Sequence, residues 1–320
     1  MANILVTGGT GQIGTYVCQE LVEQGHVVTV FDSRPGIFKD SIIGDVSNLD
    51  EILSAVKSRK ITHIIHLAAL LVLDSKEHPS KAIRVNCVGA NNIFEVARLM
   101  DLQRVVFTSS VAVYGPGKFF PRMIVDEEDY PHCPPDPYSI TKLTNELMCE
   151  YYRQAYGMDI LCLRLAGAWG PGRYTGYTGQ FNDFIRKAAI GERAELPDDF
   201  AFKDAKLRWL YVKEMARCIY FASLVDQSKT TNLGIYNIGT REPFKALDVV
   251  EALRNLIGGD NISFKEISSP TKISSDIAGP SGLDVDCSRF YNELGFEQKM
   301  TLKDSISDMI SFEKERIKRG

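Results

Sequence analysis

The sequence predicts an α/β protein built on a doubly wound parallel sheet, with a smaller C-terminal α/β lobe that binds the substrate. Short β-branched runs alternate with longer amphipathic segments through the first half of the chain, which is typical of parallel strands joined by helices. A glycine-rich turn follows the first of these runs, and the alternation ends after Arg164. With 320 residues and 44% hydrophobic content, the chain can bury one large core, or a main core with a smaller one.

Each element of the first half follows from its own local pattern. Buried apolar runs predict strands at residues 4–6, 27–31, 42–43, 63–67, 104–108 and 160–164. The amphipathic segments between them predict helices at residues 12–24, 48–57, 79–100 and 137–156. Gly25 ends the first helix, and either Asn48 or Asp50 caps the second.

The second half of the chain has a weaker pattern. Residues 167–179 are rich in glycine and aromatic residues, which predicts a loop over a ligand. Further predictions are helices at 181–190, 213–224 and 301–318, a strand at 235–238, and irregular chain at 268–282. We therefore divide the chain into a dinucleotide-binding domain (residues 1–165 and 208–240) and a substrate-binding lobe (residues 166–207 and 241–320).

Composition and charge argue against several classes of function. The net charge is −4 and the basic residues are scattered, so we expect no nucleic-acid partner. No apolar stretch approaches the roughly 20 residues of a membrane span, and no signal segment precedes the first strand. The seven cysteines include no Cys-x-x-Cys pair and no metal-type spacing with the five histidines, which indicates buried thiols and no metal site. We predict a cytoplasmic protein.

A phosphate-binding turn follows the first strand. Gly8, Gly11 and Gly14 have the spacing of a dinucleotide-binding motif between a strand and a helix, and Gln12 and Ile13 lie inside it. Glycine permits the tight turn and lets the backbone approach a pyrophosphate, which then lies at the helix N-terminus. The motif predicts a Rossmann-type sheet that binds a dinucleotide.

Two acidic positions bear on which dinucleotide is bound. Asp32 ends the second strand, 18 residues after Gly14. A carboxylate there accepts hydrogen bonds from the adenosine ribose hydroxyls and repels a 2′-phosphate, which predicts NAD. Arg34 is a residue that can hold such a phosphate, so it favours the alternative, NADP. Asp45 and Val46 either reach the adenine or only close a turn.

The fourth strand ends in small and apolar residues. Leu67, Ala68 and Ala69 would let a dinucleotide lie against the backbone, so we expect them to contact the cofactor. His66, immediately before them, is predicted to be a packed core histidine rather than a catalytic residue.

A tyrosine and a lysine form the candidate catalytic pair. Tyr138 and Lys142 are four residues apart on a predicted helix, so the phenol and the ammonium share one face. Tyrosine is a poor base near neutral pH because its reference pKa is about 10. The lysine charge and an oxidised nicotinamide ring would both favour the phenolate. The pair indicates hydride chemistry on an alcohol or ketone.

Several motifs occur in the order typical of one family. The chain resembles the extended short-chain dehydrogenase/reductases, the NAD-dependent epimerase/dehydratase superfamily, almost from end to end. The motifs that carry the resemblance are residues 7–14, 45–46, 66–69, Asn86 with Gly89, 107–115, Tyr138-x-x-x-Lys142, 286–289 and 294–296.

The resemblance implies roles for the residues around the reacting atoms. Ser110 would hydrogen-bond the reacting oxygen, with Ser109 as its nearest competitor and Thr108 a more distant one. Tyr138 would accept or donate the proton. Lys142 would bind the nicotinamide ribose, contribute to cofactor binding and lower the tyrosine pKa.

Other residues near the expected nicotinamide are less specific. Asn86 is expected either to fix the backbone beside the site, as part of the cofactor pocket, or to cap a helix. The run from Leu70 to Leu73 lies where the family builds the wall beside the nicotinamide, and it either lines a substrate pocket or packs under a loop. Val111 is expected to contact the substrate. With Ala112 it replaces the acidic pair of the family's dehydratases, so dehydration is not expected.

The chain departs from the nucleotide-sugar members of the family at three positions. Gly167 replaces the asparagine that meets the nucleotide diphosphate, and Leu207 replaces an arginine that binds it. An arginine expected near residue 283 is missing, and Asp284 and Asp286 would repel a phosphate. Three cations are candidates for substrate contacts from other positions: Arg173, Arg208 and Lys206.

Three functional hypotheses result. The first is an NAD-dependent dehydrogenase or reductase that acts on a secondary alcohol or ketone, such as a free sugar, a hydroxy acid derivative or an apolar alcohol. The second is a nucleotide-sugar 4-epimerase that retains its cofactor and returns the hydride to the opposite face. The third is a catalytically silent NAD-binding sensor. The resemblance also implies a homodimer formed through the helices at residues 81–100 and 138–156.

Overall fold

A seven-stranded parallel sheet forms the centre of the protein in a computed structural model. The structure describes residues 1–122, 124–132, 134, 136–200, 206–230, 233–265 and 283–319. From one edge to the other, the strands are β3 (Ser41–Ile43), β2 (Val27–Asp32), β1 (Asn3–Thr7), β4 (His63–His66), β5 (Arg104–Ser110), β7 (Ile160–Leu165) and β12 (Ile235–Ile238). All neighbouring pairs are parallel, which confirms the predicted Rossmann-type α/β fold.

Helices cover the faces of this sheet and build the C-terminal part. They are α1 (Gln12–Glu23), α2 (Leu49–Arg59), α3 (Val72–Glu77), α4 (Pro79–Ala82), α5 (Gly89–Leu99), α6 (Pro137–Tyr156), α7 (Gly176–Ala189), α8 (Val212–Leu224), α9 (Ala246–Ile257), α10 (Ser288–Leu294) and α11 (Leu302–Arg319). A π-helical turn joins α4 to α5 at Ile83–Val88. Short 3₁₀ turns lie at Val111–Tyr114, Gly117–Phe119, Asp198–Phe200 and Gln227–Lys229.

Four two-stranded pairs tie the loops together. They are β6 (Ile124–Val125) with β15 (Asp284–Val285), β8 (Ala168–Trp169) with β11 (Leu210–Tyr211), β9 (Ala194–Glu195) with β14 (Ile262–Ser263), and β10 (Lys206–Leu207) with β13 (Phe244–Lys245). The β6–β15 pair joins the loop after β5 to the C-terminal segment.

The order of the strands locates the ligand cleft. Successive strands run outward in one direction from β1 to β3 and in the other direction from β1 through β4 to β12. The chain therefore reverses its winding between β1 and β4. Ligands of open α/β sheets bind at the carboxyl ends of the strands at such a point.

Some predicted boundaries were wrong in ways that matter for the site. β5 continues to Ser110, two residues beyond its predicted end. The predicted loop at 167–179 is interrupted by β8 and ends early, because α7 already begins at Gly176. The short helix α3 begins within the apolar run at 70–73, and α9 was not predicted. The irregular chain predicted at 268–282 lies outside the described residues.

Local side-chain caps set the start of two helices. The Asn48 side chain accepts a hydrogen bond from Asp50 N, so Asn48 is the cap of α2. Asp136 caps α6 by accepting from Ser139 N at 3.0 Å. Pro137 follows at the first helical position, where the missing N–H costs nothing. Gly157 ends α6 in the left-handed conformation.

A second hydrophobic core lies apart from the two faces of the sheet. It is rich in aromatic residues and draws on α7, α9 and α11. Its ring contacts include Trp209 with Phe181 and Phe200 at centroid distances of 5.5 and 5.4 Å. Residues 285–296 pack against the sheet instead, beside Tyr236. The division into a dinucleotide-binding domain and a substrate lobe remains a prediction.

Two sequence features have simple structural counterparts. Six cysteines are described, all as free thiols, and five of them are buried, whereas Cys133 lies outside the described residues. In the part of the chain that the structure describes, no helix has the length and apolarity needed to cross a bilayer.

His66 is a core residue, as predicted. It is 2% exposed at the end of β4, its Nδ1 lies 2.7 Å from Thr7 Oγ1, and its ring stacks on Phe107. Burial lowers the pKa of His66 to about 3. The folded protein therefore holds this ring neutral, whereas the unfolded chain binds a proton below about pH 6.5.

We predict that His66 makes the fold sensitive to acid. Between about pH 6.5 and about pH 3, only the unfolded chain protonates this ring, so stability falls as the pH falls. His66→Phe should reduce the slope of unfolding free energy against pH by up to about 1.4 kcal/mol per unit in that range. Denaturant unfolding at several pH values measures the slope, with exposed His78→Gln as the control. Equal slopes in wild type and His66→Phe would contradict the assignment.

Candidate active site

The glycine-rich turn lies at the switch point between β1 and β4. Gly8 has φ of +71°, and a Cβ there would lie 2.7 Å from Ala68 N. A Cβ on Gly14 would lie 2.2 Å from Gly8 O, so any side chain would force the turn open. Gly11 precedes α1 without a side-chain cap, which leaves the N-terminal N–H groups for an anion. This cradle fits the pyrophosphate of a dinucleotide.

Asp32 is held beside this turn at the carboxyl end of β2. Its Oδ2 accepts from Thr10 N at 3.0 Å and from Thr10 Oγ1 at 2.8 Å, and its Oδ1 accepts from Arg34 N at 3.2 Å. The carboxylate is buried and its orientation is set by these three donors. Asp32 thus lies in the position expected for a partner of the adenosine ribose, whereas Arg34 is exposed.

Asp45 builds a turn in the structure. Its Oδ1 accepts from Ser47 N at 2.9 Å, and its own N donates to Glu51 Oε2 at 2.8 Å. The bond from the Ser47 N–H lowers the pKa of the Asp45 carboxyl. Val46 is buried, and its carbonyl accepts from Asn92. A contact of this turn with adenine remains a prediction.

The residues after β4 follow the backbone of β1. Leu67 N donates to Thr7 O at 3.1 Å, and Ala68 N lies 3.4 Å from Thr7 Oγ1. These bonds hold Leu67, Ala68 and Ala69 along the switch point, opposite the glycine-rich turn.

Asn86 fixes the backbone that follows. Its Oδ1 accepts from Leu70 N at 2.8 Å, and its Nδ2 donates to Leu70 O at 3.1 Å and to Thr141 Oγ1 at 3.0 Å. Asn145 Nδ2 in turn donates to Asn86 O. Asn86 lies in the π-helical turn, a feature that is frequent at functional sites. It therefore braces the chain between β4 and α3 rather than capping a helix.

Ser110, Tyr138 and Lys142 meet at the carboxyl edge of the sheet. Ser110 ends β5, where its Oγ accepts from Ala112 N at 3.2 Å, and its side chain also opposes the rise in the pKa of the nearby Tyr138 phenol. Lys142 is buried, with Nζ 5.6 Å from the centre of the Tyr138 ring, and it donates to Thr108 O at 2.6 Å. Burial raises the pKa of Tyr138 to about 12, and burial lowers that of Lys142 to about 8.

The two competitors of Ser110 point elsewhere. Ser109 is 1% exposed and donates to the carboxylate of Glu146. Thr108 donates to His66 O at 2.9 Å inside the sheet. Because side chains alternate along a strand, Ser109 and Ser110 face opposite sides of β5. Of the three, Ser110 is the one that acts on the Tyr138 phenol.

Glu146 and Arg164 are site residues that sequence reasoning missed. They form a buried ion pair directly behind Ser109, with Arg164 Nη2 at 2.8 Å from Glu146 Oε2. Glu146 is four residues after Lys142, so the helical period already places it on the catalytic face of α6. That spacing is the signal that could have identified it.

The candidate substrate residues do not all face one another. Leu73 is 55% exposed on α3, and Val111 is buried in the turn after Ser110. Arg208 makes a bidentate pair with Asp284, with Nε–Oδ1 at 2.7 Å and Nη2–Oδ2 at 2.8 Å. Its charge is thus neutralised within the protein, which weakens its prediction as a substrate ligand.

Gly167 is packed against an indole ring. A Cβ on Gly167 would lie 2.4 Å from both Cδ1 and Nε1 of Trp209. Trp209 is itself 8% exposed, held by the aromatic rings of the second core. The Trp209 indole therefore fills the space that an asparagine side chain at position 167 would need.

Gln12 reaches across the cleft. Its Nε2 donates to Gly170 O at 2.9 Å and to Pro171 O at 3.1 Å. The first residue of α1 is thus joined to the loop after β8, which also carries Arg173. Sequence reasoning placed Gln12 in the cofactor motif without this second contact.

A cleft of this form is characteristic of a dinucleotide-dependent α/β enzyme. Many functions share this fold, and the side chains of the site determine the substrate.

The chain belongs to the NAD dependent epimerase/dehydratase family, whose model matches residues 4–239. It is 28% identical to the UDP-glucose 4-epimerase of Halalkalibacterium halodurans, over 92% of this chain and 90% of the relative. It is 25% identical to Protein CapI of Staphylococcus aureus, over 99% of both chains. The family is NAD dependent, so NAD is the cofactor of this chain, and the roles of the glycine-rich turn and Asp32 in binding it remain predictions.

Solved structures with the same fold include enzymes of two kinds. The L-threonine dehydrogenase from Phytophthora infestans matches with a TM-score of 0.85 and 23% identity, over 98% of this chain and 100% of that one. The UDP-glucose 4-epimerase from Thermotoga maritima, with UDP-glucose, matches with a TM-score of 0.81 and 23% identity, over 98% and 99%. At these identities the likeness establishes the fold.

We predict that Asp32 sets the cofactor preference. Asp32→Ala removes the carboxylate expected to bind the ribose hydroxyls, so NADH should bind at least about 10-fold more weakly while NADPH binding is unchanged or improved. Arg34→Ala should leave NADH affinity unchanged because that side chain is exposed. Fluorescence titration of each variant with both nucleotides measures the effect. Tighter binding of NADPH than NADH by the wild type would contradict the prediction.

Proposed function

We propose that this protein is an NAD-dependent oxidoreductase for a secondary alcohol or ketone that carries no nucleotide. The observation that carries the proposal is the packing of Trp209 against Gly167, which fills the space of the diphosphate-binding asparagine. A free sugar, a hydroxy acid derivative or an apolar alcohol is compatible with the catalytic residues. The alternative is a nucleotide-sugar 4-epimerase.

The proposed chemistry uses three side chains. In the oxidation direction, Tyr138 Oη removes the proton of the substrate hydroxyl, and Ser110 Oγ donates to the same oxygen. Lys142 supports the charge of the phenolate and is expected to bind the nicotinamide ribose. Bound NAD supplies the acceptor for the hydride that leaves the carbinol carbon. In the reduction direction, the Tyr138 phenol returns the proton to the oxygen.

The raised pKa of Tyr138 means that its phenolate needs a positively charged neighbour. Burial raises the pKa of Tyr138 to about 12, so without a further cation the phenol is protonated at neutral pH. The Ser110 hydrogen bond and the Arg173 charge oppose this shift. An oxidised nicotinamide ring beside the phenol would add to them.

Few cations remain at the positions where the nucleotide-sugar enzymes bind the diphosphate of their substrate. Leu207 lies in the edge strand β10, where the nucleotide-sugar enzymes carry an arginine. Arg208 is neutralised by Asp284. Asp286 adds a second negative charge nearby in the sequence. A substrate with a nucleotide diphosphate would thus meet the charge of Asp286 and find no free cation at positions 207 and 208.

The epimerase alternative rests on sequence relatives. UDP-glucose 4-epimerases of Halalkalibacterium halodurans and Corynebacterium glutamicum are 28% and 26% identical to this chain over most of its length. An epimerase would use the same serine, tyrosine and lysine. A silent sensor is disfavoured because Tyr138 and Lys142 are both present and the Ser110 side chain lowers the pKa of the Tyr138 phenol.

We also propose a homodimer formed by a four-helix bundle. The helices from α4 to α6 carry large apolar side chains that are about half exposed: Ile83 at 49%, Val88 at 43%, Leu147 at 51% and Tyr151 at 54%. Apolar surface of this kind on adjacent helices favours a partner. A second copy would bring the same helices against it.

A reducing compartment, such as the cytoplasm, fits the free and mostly buried thiols.

We predict that a free alcohol reduces NAD when mixed with the protein. The test combines NAD with free sugars, hydroxy acids, sterols and UDP-sugars, and follows the absorbance of reduced nicotinamide. Accumulation of one NADH per ketone formed supports the dehydrogenase. Absence of NADH together with an inverted UDP-sugar in the products would establish the epimerase and refute the proposal.

Variants test the roles within that assay. Tyr138→Phe should lower turnover by at least about 10²-fold and retain NADH binding. Ser110→Ala should also lower kcat strongly, whereas Ser109→Ala should mainly reduce stability, because it faces Glu146. The oxidation rate of the wild type should rise with pH, since the phenolate is the base. Full turnover in Tyr138→Phe would rule out the mechanism.

We predict that Leu147→Arg yields a monomer. A charge on the half-exposed apolar face of α6 would be buried in the proposed bundle, which opposes association. Light scattering coupled to size exclusion measures the mass. Val22→Arg is the matched control, because Val22 is 53% exposed on α1, outside the bundle. A wild-type monomer, or a dimer in Leu147→Arg, would contradict the proposed interface.

A further inference from the structure

Side chains from three helices hold the loop that carries Arg173. Asn182 on α7 is fully buried, and its side chain holds both ends of the loop, accepting from Gly170 N and donating to Arg173 O, each at 2.8 Å. Gln12 holds the same segment from α1. The hydroxyl of Tyr174 donates to Glu313 on α11. Three helices therefore fix the backbone of Arg173.

The guanidinium of Arg173 is also oriented. Its Nε donates to Thr175 O at 3.1 Å, which leaves the Nη1 and Nη2 groups for another partner. Gly176 has φ of +75°, and a Cβ there would lie 2.8 Å from Nη2, so a side chain at 176 would displace the guanidinium. The glycine thus preserves the position of the cation.

The charge of Arg173 lies within electrostatic range of Tyr138 and has no carboxylate partner within ion-pair distance in the described residues. Its charge acts on the Tyr138 phenol and on Asp74 of α3. No ion pair within 4.0 Å includes Arg173 in the described part of the chain. By contrast, Arg104, Arg164 and Arg208, which are also largely shielded from water, have carboxylate oxygens at 2.7, 2.8 and 2.7 Å. Partial burial of an unpaired cation is unfavourable, so a ligand anion is its natural partner.

We infer that Arg173 binds a carboxylate on the substrate, attached close to the carbon that carries the reacting hydroxyl. In the proposed function the oxygen of that hydroxyl is bound by Ser110 and Tyr138, and the Arg173 charge acts on the same phenol. A neighbouring carboxylate would therefore be placed near the Nη groups that the bond from Nε to Thr175 O leaves unused. Such a bidentate pair is charge-assisted and orients the substrate. The inference rests on the proposed function for the identity of the reacting group, and it selects hydroxy acids among the substrates compatible with it.

The test measures binding, which does not require turnover. Wild type loaded with NADH is titrated by calorimetry with three carboxylates and their primary amides: oxamate and oxamide, lactate and lactamide, and 3-hydroxybutyrate and 3-hydroxybutyramide. At least one acid should bind about 10-fold or more tightly than its amide. Arg173→Met should abolish that preference, and Arg173→Lys should keep only part of it. Arg193→Met, an exposed arginine of the same region, should retain it in full.

Each outcome of the titration either supports or overturns the inference that Arg173 binds a substrate carboxylate. Equal binding of every acid and its amide, no binding of any acid, or a preference that survives in Arg173→Met would overturn the inference. Binding of UDP that depends on Arg173, with no acid preference, would assign the cation to a nucleotide diphosphate and would also overturn it. An Arg173-dependent acid preference without NADH accumulation in the turnover assay would retain the carboxylate site and reject only the proposed dehydrogenase.

Discussion

A buried ion pair between Glu146 and Arg164 fixes α6 against the sheet. Arg164 Nε lies 3.1 Å from both carboxylate oxygens of Glu146 and its Nη2 lies 2.8 Å from one, with both side chains under 5% exposed. Glu146 lies four residues after Lys142 and eight after Tyr138, so it anchors the helix face that carries both. Removing one partner would leave a buried charge, at a cost of about 3–5 kcal/mol. The rotation of α6, and with it the position of Tyr138 near Ser110, depends on this pair.

The parts of the site that depend on local sequence were predictable. The glycine spacing located the cofactor turn, and the four-residue spacing paired Tyr138 with Lys142. Strand alternation would also have separated Ser109 from Ser110, had the strand been extended to its true end. The predicted end of β5 was wrong because the two polar serines at 109 and 110 look like the end of a strand. Ser109 is nevertheless buried, and its hydroxyl donates to Glu146.

Contacts between distant segments were not predictable in the same way. Gln12 is 158 residues from Gly170, and Arg208 is 76 residues from Asp284. Neither pairing follows from a period or a motif, because the folding of the intervening chain determines them. Asp284 was interpreted as repelling a phosphate; in the structure its nearest cation is Arg208, so the two residues neutralise each other. The contact of Trp209 with Gly167 was unpredictable for the same reason, because the packing of the second core determines where the indole lies.

The distinction between a dehydrogenase and an epimerase is physical as well as chemical. Both reactions begin with the same proton and hydride transfers, but an epimerase must hold its ketone while the sugar turns over. A group far from the reacting carbon, such as a nucleotide diphosphate, supplies that retention, because its binding energy keeps the ketone intermediate in the site. Here the space of the diphosphate-binding asparagine holds the Trp209 indole and the position of the arginine holds Leu207, whereas the charge of Arg173 acts on Tyr138. Under the proposed function, a small ketone held only near the reacting carbon would lose its contacts if it turned over, so its release as product would be favoured.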